Sequence, residues 1–229
     1  MKTCEVKKMY SKKVLIGFPT SDAKYYCITD FIQGLSACGI DKNDIVCIDT
    51  SKTRNKLKKE YAGFNYFHTY KQKAMDRVVV ARQAVANIGI AYGYERVCFI
   101  DSDAILDSKC ILELLRHDVD VVSAVLFTIY PNKMIGPAPF VTETEHLNVK
   151  QLGTGLIKAY RIGFGTVMIK TDILKRIKIR CDRDKNGFMK VGEDYCFSDD
   201  CRNSGIDLWI DTNIQVPHRI VGQWDNITS

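Results

Sequence analysis

Apolar positions along the chain cluster into short runs separated by longer amphipathic or polar stretches. The runs at 14–18, 44–49, 97–100 and 120–127 are four to eight residues long, rich in Val and Ile, and almost without polar residues inside. Such runs predict strands covered on both faces. Between them the period changes to 3.6. Ala74, Val78, Ala81, Val85 and Ile88 fall on one face of a helix over 75–91. Further helices are predicted over 23–38 (capped by Ser21 or Asp22 and ended by Gly39), over the charged run 52–60, over 104–118, from Thr171 or Asp172 to 177, and over 193–204 before Gly205. Later strands are predicted at 156–160, 163–169, 206–211 and 213–216. Residues 61–70 read as an aromatic loop in which His68 packs. The tract 130–152 carries three of the five prolines and few regular signals, and loops of that length are often functional. Alternating strands and helices predict an α/β open sandwich, with a central, mostly parallel, twisted sheet and helices on both faces.

Composition narrows the classes. A chain of 229 residues suits one domain, 1–229, with a polar lead-in at 1–13 and a tail at 220–229. Its 46% hydrophobic and 26% charged residues are ordinary globular values. The net charge of +6 favours anionic ligands such as nucleotides and falls short of a nucleic-acid footprint. The basic residues around 175–190 lack interleaved stacking aromatics and read as solvated surface. With no apolar run of 18 residues and no charged-apolar-small leader, the expectation is no membrane span, no secretory signal and a cytoplasmic location. The sequon Asn226-Ile-Thr228 then has no role. Nine cysteines include no C-x2-C pair. Cys47 and Cys98 lie inside apolar runs, so the cysteines are expected to be reduced and structural.

Candidate chemistry begins where the 97–100 run ends. Asp101 and Asp103, separated by Ser102, stand where an open α/β sheet presents the carboxyl end of a central strand to a ligand. Two acids there can hold a hard divalent cation through oxygen, and the cation can hold a diphosphate. The same tripeptide also suits a strand-ending turn that caps a helix. Glu193 and Asp194 open a predicted helix, and His218 follows the last predicted strand. Two carboxylates and a neutral imidazole make a plausible Mn2+ or Mg2+ site. Asp194 suits either a general base or a residue favoured by the helix dipole. Arg77 and Arg82 border the apolar face of the 75–91 helix, which fits a salt bridge, a snorkelling stem or a phosphate contact. Gly163 and Gly165 allow close backbone approach. Residues 182–193 satisfy the EF-hand loop pattern with Glu193 in the twelfth position. Basic residues at three loop positions oppose a cation, and a turn at 184–187 between two short strands accounts for the same residues.

Four segments resemble one family in the same order. The run VVVARQAVANIGIAYGYERVCFIDSDAIL (78–106) resembles the helix, strand and DxD segment of GT-A fold glycosyltransferases, close to the family-2 type. GFGTVMIKTDILKRI (163–177) is similar to the strand and helix after their acceptor loop. GEDYCFSDDCRNSGIDLWIDTNIQVPHR (192–219) resembles their ED helix and terminal metal histidine, and VLIGFPTS and IVCIDTS fit their first two nucleotide-binding strands. The resemblance implies a nucleotide-sugar-binding half at 14–127 and an acceptor-binding half at 128–219. It implies Pro19 and Thr20 in the nucleoside pocket, Asp49 on the base, and Arg82 as the arginine of an ARN-like motif. Gln83 departs from that motif, which has Asn. Asp101 and Ser102 would lie against ribose and metal, Asp103 would ligate the metal directly, and His218 would complete the site. Asp194, beside Glu193 in the ED motif, would deprotonate the acceptor in an inverting enzyme; retaining relatives share this segment. The implied activity is metal-dependent transfer from a UDP- or GDP-sugar to a hydroxyl of a glycan, protein or lipid. Two alternatives are a calcium-binding interaction protein using the 182–193 loop and a sugar-phosphate nucleotidylyltransferase. The latter would want a glycine-rich basic loop after the first strand, which 17–22 lacks.

Overall fold

The computed structural model describes residues 13–129 and 135–219. The expected lead-in at 1–12, the tail at 220–229 with its sequon, and positions 130–134 of the proline-bearing tract lie outside the described residues.

A nine-stranded sheet forms the centre. Its strands are β1 (Val14–Thr20), β2 (Ile45–Asp49), β3 (Asn65–His68), β4 (Arg96–Ile100), β5 (Val121–Ile129), β6 (Ile135–Pro137), β7 (Leu156–Ala159), β8 (Thr166–Lys170) and β11 (Leu208–Val216). They lie in the order β3-β2-β1-β4-β8-β5-β11-β7, with β6 beside β5. β1 to β5 and β11 run in one direction, while β8 and β7 run against it. The mostly parallel sheet read from the sequence is what forms. A separate hairpin pairs β9 (Asp182–Arg183) with β10 (Met189–Val191).

Alternate strand residues feed two apolar layers, as the pleat requires. Val14, Ile16, Cys98, Ile100 and Val122 join Phe31 and Leu35 of α1 (Ile28–Ala37) and Ile111 and Leu114 of α3 (Cys110–Arg116). Leu15, Val97, Phe99, Val121 and Val167 join Val85 of α2 (Ala74–Ala91), Ile173 of α4 (Thr171–Arg176) and Phe197 of α5 (Glu193–Asn203). Cys47 and Cys98 are fully buried, and the eight described cysteines are free thiols.

Several expected elements differ, each for a local reason. β1 continues through Pro19 and Thr20 instead of stopping at 18, because beyond Gly17 it is paired only to β2 and the missing proline N–H leaves no β4 ladder bond unmade. The helix expected at 23–38 is a 3₁₀ turn (Asp22–Cys27) followed by α1. The charged stretch 52–60 forms turns rather than a helix, with Asn55 in the left-handed region at φ 59°. The aromatic loop at 61–70 contains the edge strand β3, while His68 packs as expected, its Nε2 2.8 Å from the Ser51 carbonyl. The helix expected over 104–118 begins only at Cys110. Asp107 turns the chain by accepting from the Lys109 amide, and the amide of Ile105 donates to Pro217 O at 2.9 Å. Tertiary bonding there overrides helix propensity. The two late strands are one strand, β11, whose register with β5 shifts between Asp211 and Gln215. Finally, α4 is preceded by Lys170 without a side-chain cap.

Candidate functional site

The carboxyl ends of β1 and β4 open into a cavity of about 400 Å³. Pro19, Thr20 and Ser21 line it from β1 and its loop, Met75, Val78 and Arg82 from α2, and Asp101, Ser102 and Asp103 from the loop after β4. Lys24, Thr50, Glu193 and His218 complete the wall. Eight of the ten expected site residues therefore meet at one place. The other two, Asp49 and Asp194, lie outside that lining.

Asp101, Asp103 and His218 each offer one ligating atom, and these atoms all lie within 4.8 Å of one another. Backbone pairing produces this. β8 runs antiparallel to β4, so the Asp101 amide donates to Gly165 O at 2.8 Å. On the other side, the end of β11 is stitched to the same loop by an Ala104–His218 bridge and by the Arg219 amide on Asp103 O at 2.7 Å. Gly165 is a glycine for space. A Cβ there would stand 2.9 Å from both Asp101 Oδ2 and His218 Nε2. His218 Nε2 is buried and has no hydrogen-bond partner among the described residues, its nearest acid oxygen being Asp101 Oδ2 at 3.8 Å. Two carboxylates and an orphaned imidazole nitrogen fit a divalent cation such as Mn2+ or Mg2+.

Arg82 organises the floor. Its buried guanidinium lies 4.9 Å from the Phe164 ring centroid, donates to Asp101 Oδ1 at 2.6 Å and donates to Glu193 Oε1. Phe164 in turn packs edge-on between Phe99 and Phe197. Burial opposes ionisation of Asp101, but Arg82, helped by His218 and Lys24, holds its carboxyl below the usual range. Asp194 goes the other way. Burial and the neighbouring Glu193 carboxylate push it up to about 6. Its Oδ1 accepts from the Tyr195 amide at 2.8 Å. Arg77 is not part of the site, since it donates to the carbonyls of Lys71 and Gln72 at 3.0 Å.

Asp49 is fully buried behind the cavity, accepting from Ser51 N and Oγ at 2.8 and 2.6 Å and from the Tyr66 hydroxyl. Gln83, the departure from the ARN-like motif, ties α2 to the segment after α4 by accepting from the Ile179 amide at 2.9 Å. The EF-hand pattern does not converge on a cation site. Asp182 pairs with Arg180, Asp184 accepts from the amides of Asn186 and Phe188, and Glu193 belongs to Arg82. The hairpin with its turn at 184–187 is what those residues make.

Sequence reasoning missed Lys24, which donates to Asp103 Oδ2. It also missed Thr50, Met75 and Val78 in the cavity wall. A lysine in an ordinary polar stretch carries no local signal. Phe164 could have been found as the large apolar residue between two site glycines.

No protein-family profile and no curated protein sequence matches the chain. Solved structures match it in fold. A197 from STIV superposes with a TM-score of 0.52 at 15% identity, over 91% of this chain and 86% of that one. GalNAc-T7, solved with UDP, GalNAc and Mn2+, gives 0.55 at 11% identity, over 92% and 44%. The mannosyltransferase PcManGT from Pyrobaculum calidifontis, in complex with GDP-Man and Mn2+, gives 0.54 at 12% identity, over 92% and 58%. The chain thus spans less than two thirds of the latter two. Sheet order, helix layers and these superpositions agree that the chain has the GT-A glycosyltransferase fold.

Proposed function

We propose that the chain transfers a sugar from a nucleoside-diphosphate sugar to a hydroxyl acceptor in a reaction that depends on a divalent cation. The observation that carries this reading is the convergence of Asp101, Asp103 and the unpartnered His218 Nε2 on the cavity at the ends of β1 and β4. Ligands bind at that edge of open α/β sheets. The GT-A fold, shared with proteins solved holding UDP or GDP-Man together with Mn2+, supports it.

Asp101, Asp103 and His218 would hold the cation, which when bound supplies Lewis-acid stabilisation of the departing diphosphate, worth several kcal/mol. The protein's own groups do the remaining work. Arg82 fixes Asp101 in its ionised form and in one orientation. Glu193 fixes Arg82 in turn. Pro19 and Thr20 form the wall for the nucleoside, and Asp49, paired with Thr20 in the β1–β2 ladder, backs it. Asp194 takes the acceptor proton in an inverting displacement. Its Oδ1 is occupied by the Tyr195 amide, which leaves Oδ2 for the proton. A carboxylate raised to about 6 is ionised at neutral pH yet a better base than an ordinary one.

The lining also explains why the cation is needed. Two cationic side chains, Arg82 and Lys24, stand against the three carboxylates of Asp101, Asp103 and Glu193, so acids outnumber the Arg and Lys in the wall. A diphosphate is repelled until a dication reverses that balance. Thermal unfolding with UDP, GDP, CDP and dTDP, each with Mn2+ or with EDTA, tests this. One nucleotide at 100 times its Kd should stabilise by about 2.7 kcal/mol, roughly 5–11 °C for a chain of this size. The shift should vanish in EDTA and in Asp103→Ala. A shift with calcium alone and with no nucleotide would overturn the proposal.

A further inference from the structure

We propose that Lys24 binds the donor's diphosphate, its ammonium being held by Asp103 until a divalent cation takes that carboxylate. This rests on the glycosyltransferase reading and adds a residue to its donor site.

The geometry gives Lys24 a fixed base and a free end. Its amide donates to Ser21 O at 2.9 Å, its carbonyl accepts from Cys27 Sγ at 3.2 Å, and the next-but-one residue, Tyr26, donates its hydroxyl to Arg219 O at 2.8 Å. The side chain is the movable part. It is 36% exposed against 13% for Asp103, on a flexible four-carbon stem that lines the cavity. The ammonium now sits on a carboxylate whose oxygens would face the cation. Once a dication binds there, an ammonium at hydrogen-bond distance from the same carboxylate is repelled. The other cation in the wall cannot replace it, because Arg82 is already shared between Asp101 and Glu193. A displaced Lys24 is therefore the group within the cavity left without a partner when the diphosphate enters, and phosphate oxygens are the acceptors that restore one.

Two affinities should move in opposite directions. In Lys24→Met, Mn2+ alone should bind several-fold tighter, because a competing cation is gone from Asp103. Inorganic pyrophosphate, and UDP or GDP, should bind about tenfold more weakly at saturating Mn2+, the loss of one charge-assisted hydrogen bond. Mn2+ binding is read by electron paramagnetic resonance, and diphosphate binding by calorimetry. Lys24→Gln serves as a second variant and should behave alike. Unchanged or weaker Mn2+ binding in both variants, or unchanged pyrophosphate binding, overturns the assignment while leaving the glycosyltransferase reading intact. A wild-type protein that binds neither Mn2+ nor pyrophosphate overturns both.

Discussion

A guanidinium buried between two carboxylates is stable only as a set. Removing the guanidinium leaves the Glu193 carboxylate, 7% exposed, without its partner, and breaking a buried pair costs about 3–5 kcal/mol. Arg82→Met should therefore destabilise the chain by about that much, since Asp101 and Glu193 both lose their partner. Urea unfolding should show a lower midpoint at an unchanged slope; a loss of unfolding free energy under about 1 kcal/mol would mean that the pair is hydrated. Asp194 is the opposite case, a group that works against stability. Its folded pKa, about 6, exceeds the ordinary carboxylate value, so the native state binds the proton more tightly than the unfolded chain does. Its destabilising effect is absent below pH 4, grows as the pH rises through 6, and is complete above it. A shift of that size corresponds to at most about 3 kcal/mol. Asp194→Asn should accordingly be more stable than wild type at pH 7.5, with the difference shrinking toward pH 4 in parallel thermal melts. The same variant should lose about 10²–10⁴-fold in turnover. Normal turnover in Asp194→Asn would remove it from the proton transfer, and no gain in stability would mean that the carboxyl is not strained.

Elements were legible wherever burial on both faces or a long apolar stripe decided the structure. β1, β2, β4 and β5 came from apolar runs, and α2 from a stripe including Ala81 and Val85, both fully buried. Local pattern failed where distant backbone groups took over. Residues 104–105 are bonded to 217–218, so a sequence with helical character stays a turn. β3 was hidden because it is an edge strand whose Phe67 is 50% exposed while Tyr66 is half-buried, so alternation does not mark a core face. Spacing alone could not show how closely α2 lies on the sheet. A Cβ at Gly89 would stand 2.4 Å from Val97 Cγ2 of β4, and one at Gly17 2.0 Å from Val85 Cγ1. In isolation Gly89→Ala would favour the helix by about 1 kcal/mol. In the fold, overpacking costs about 1–3 kcal/mol. We expect net destabilisation, with Gly89→Ala/Val97→Ala less destabilised than the sum of the single changes because the two sites share one contact. Additive effects in chemical denaturation would show that the helix simply lifts away.

At the scale of the molecule, the site joins chain segments that no local pattern connects. Arg82 and Glu193 are 111 residues apart and Lys24 and Asp103 are 79 apart, yet each pair is in contact. The sequence offered the acids and the histidine because each stands at an element end. It could not offer the distances, nor Lys24, because these arise only when β1, β4, β8, β5 and β11 take their places in one sheet. The closure is also mechanical. The Ile105 amide donates to Pro217 O, and the Arg219 amide donates to Asp103 O, at 2.9 and 2.7 Å. Asp103 and His218, proposed ligands of one ion, therefore sit on the two sides of a backbone clasp. Binding an ion between them should tighten the clasp on both sides at once. In hydrogen exchange with Mg2+ and the stabilising nucleotide, peptides covering 101–107 and 214–219 should slow together by about tenfold or more, the equivalent of 1.4 kcal/mol or above against local opening. The turns at 52–60, remote from the clasp in sequence and outside the cavity lining, should exchange at an unchanged rate. Asp103→Ala should abolish the protection of both peptides. Protection confined to 101–107 would remove His218 from the ligand set, because an ion held by the two aspartates alone has no hold on the end of β11.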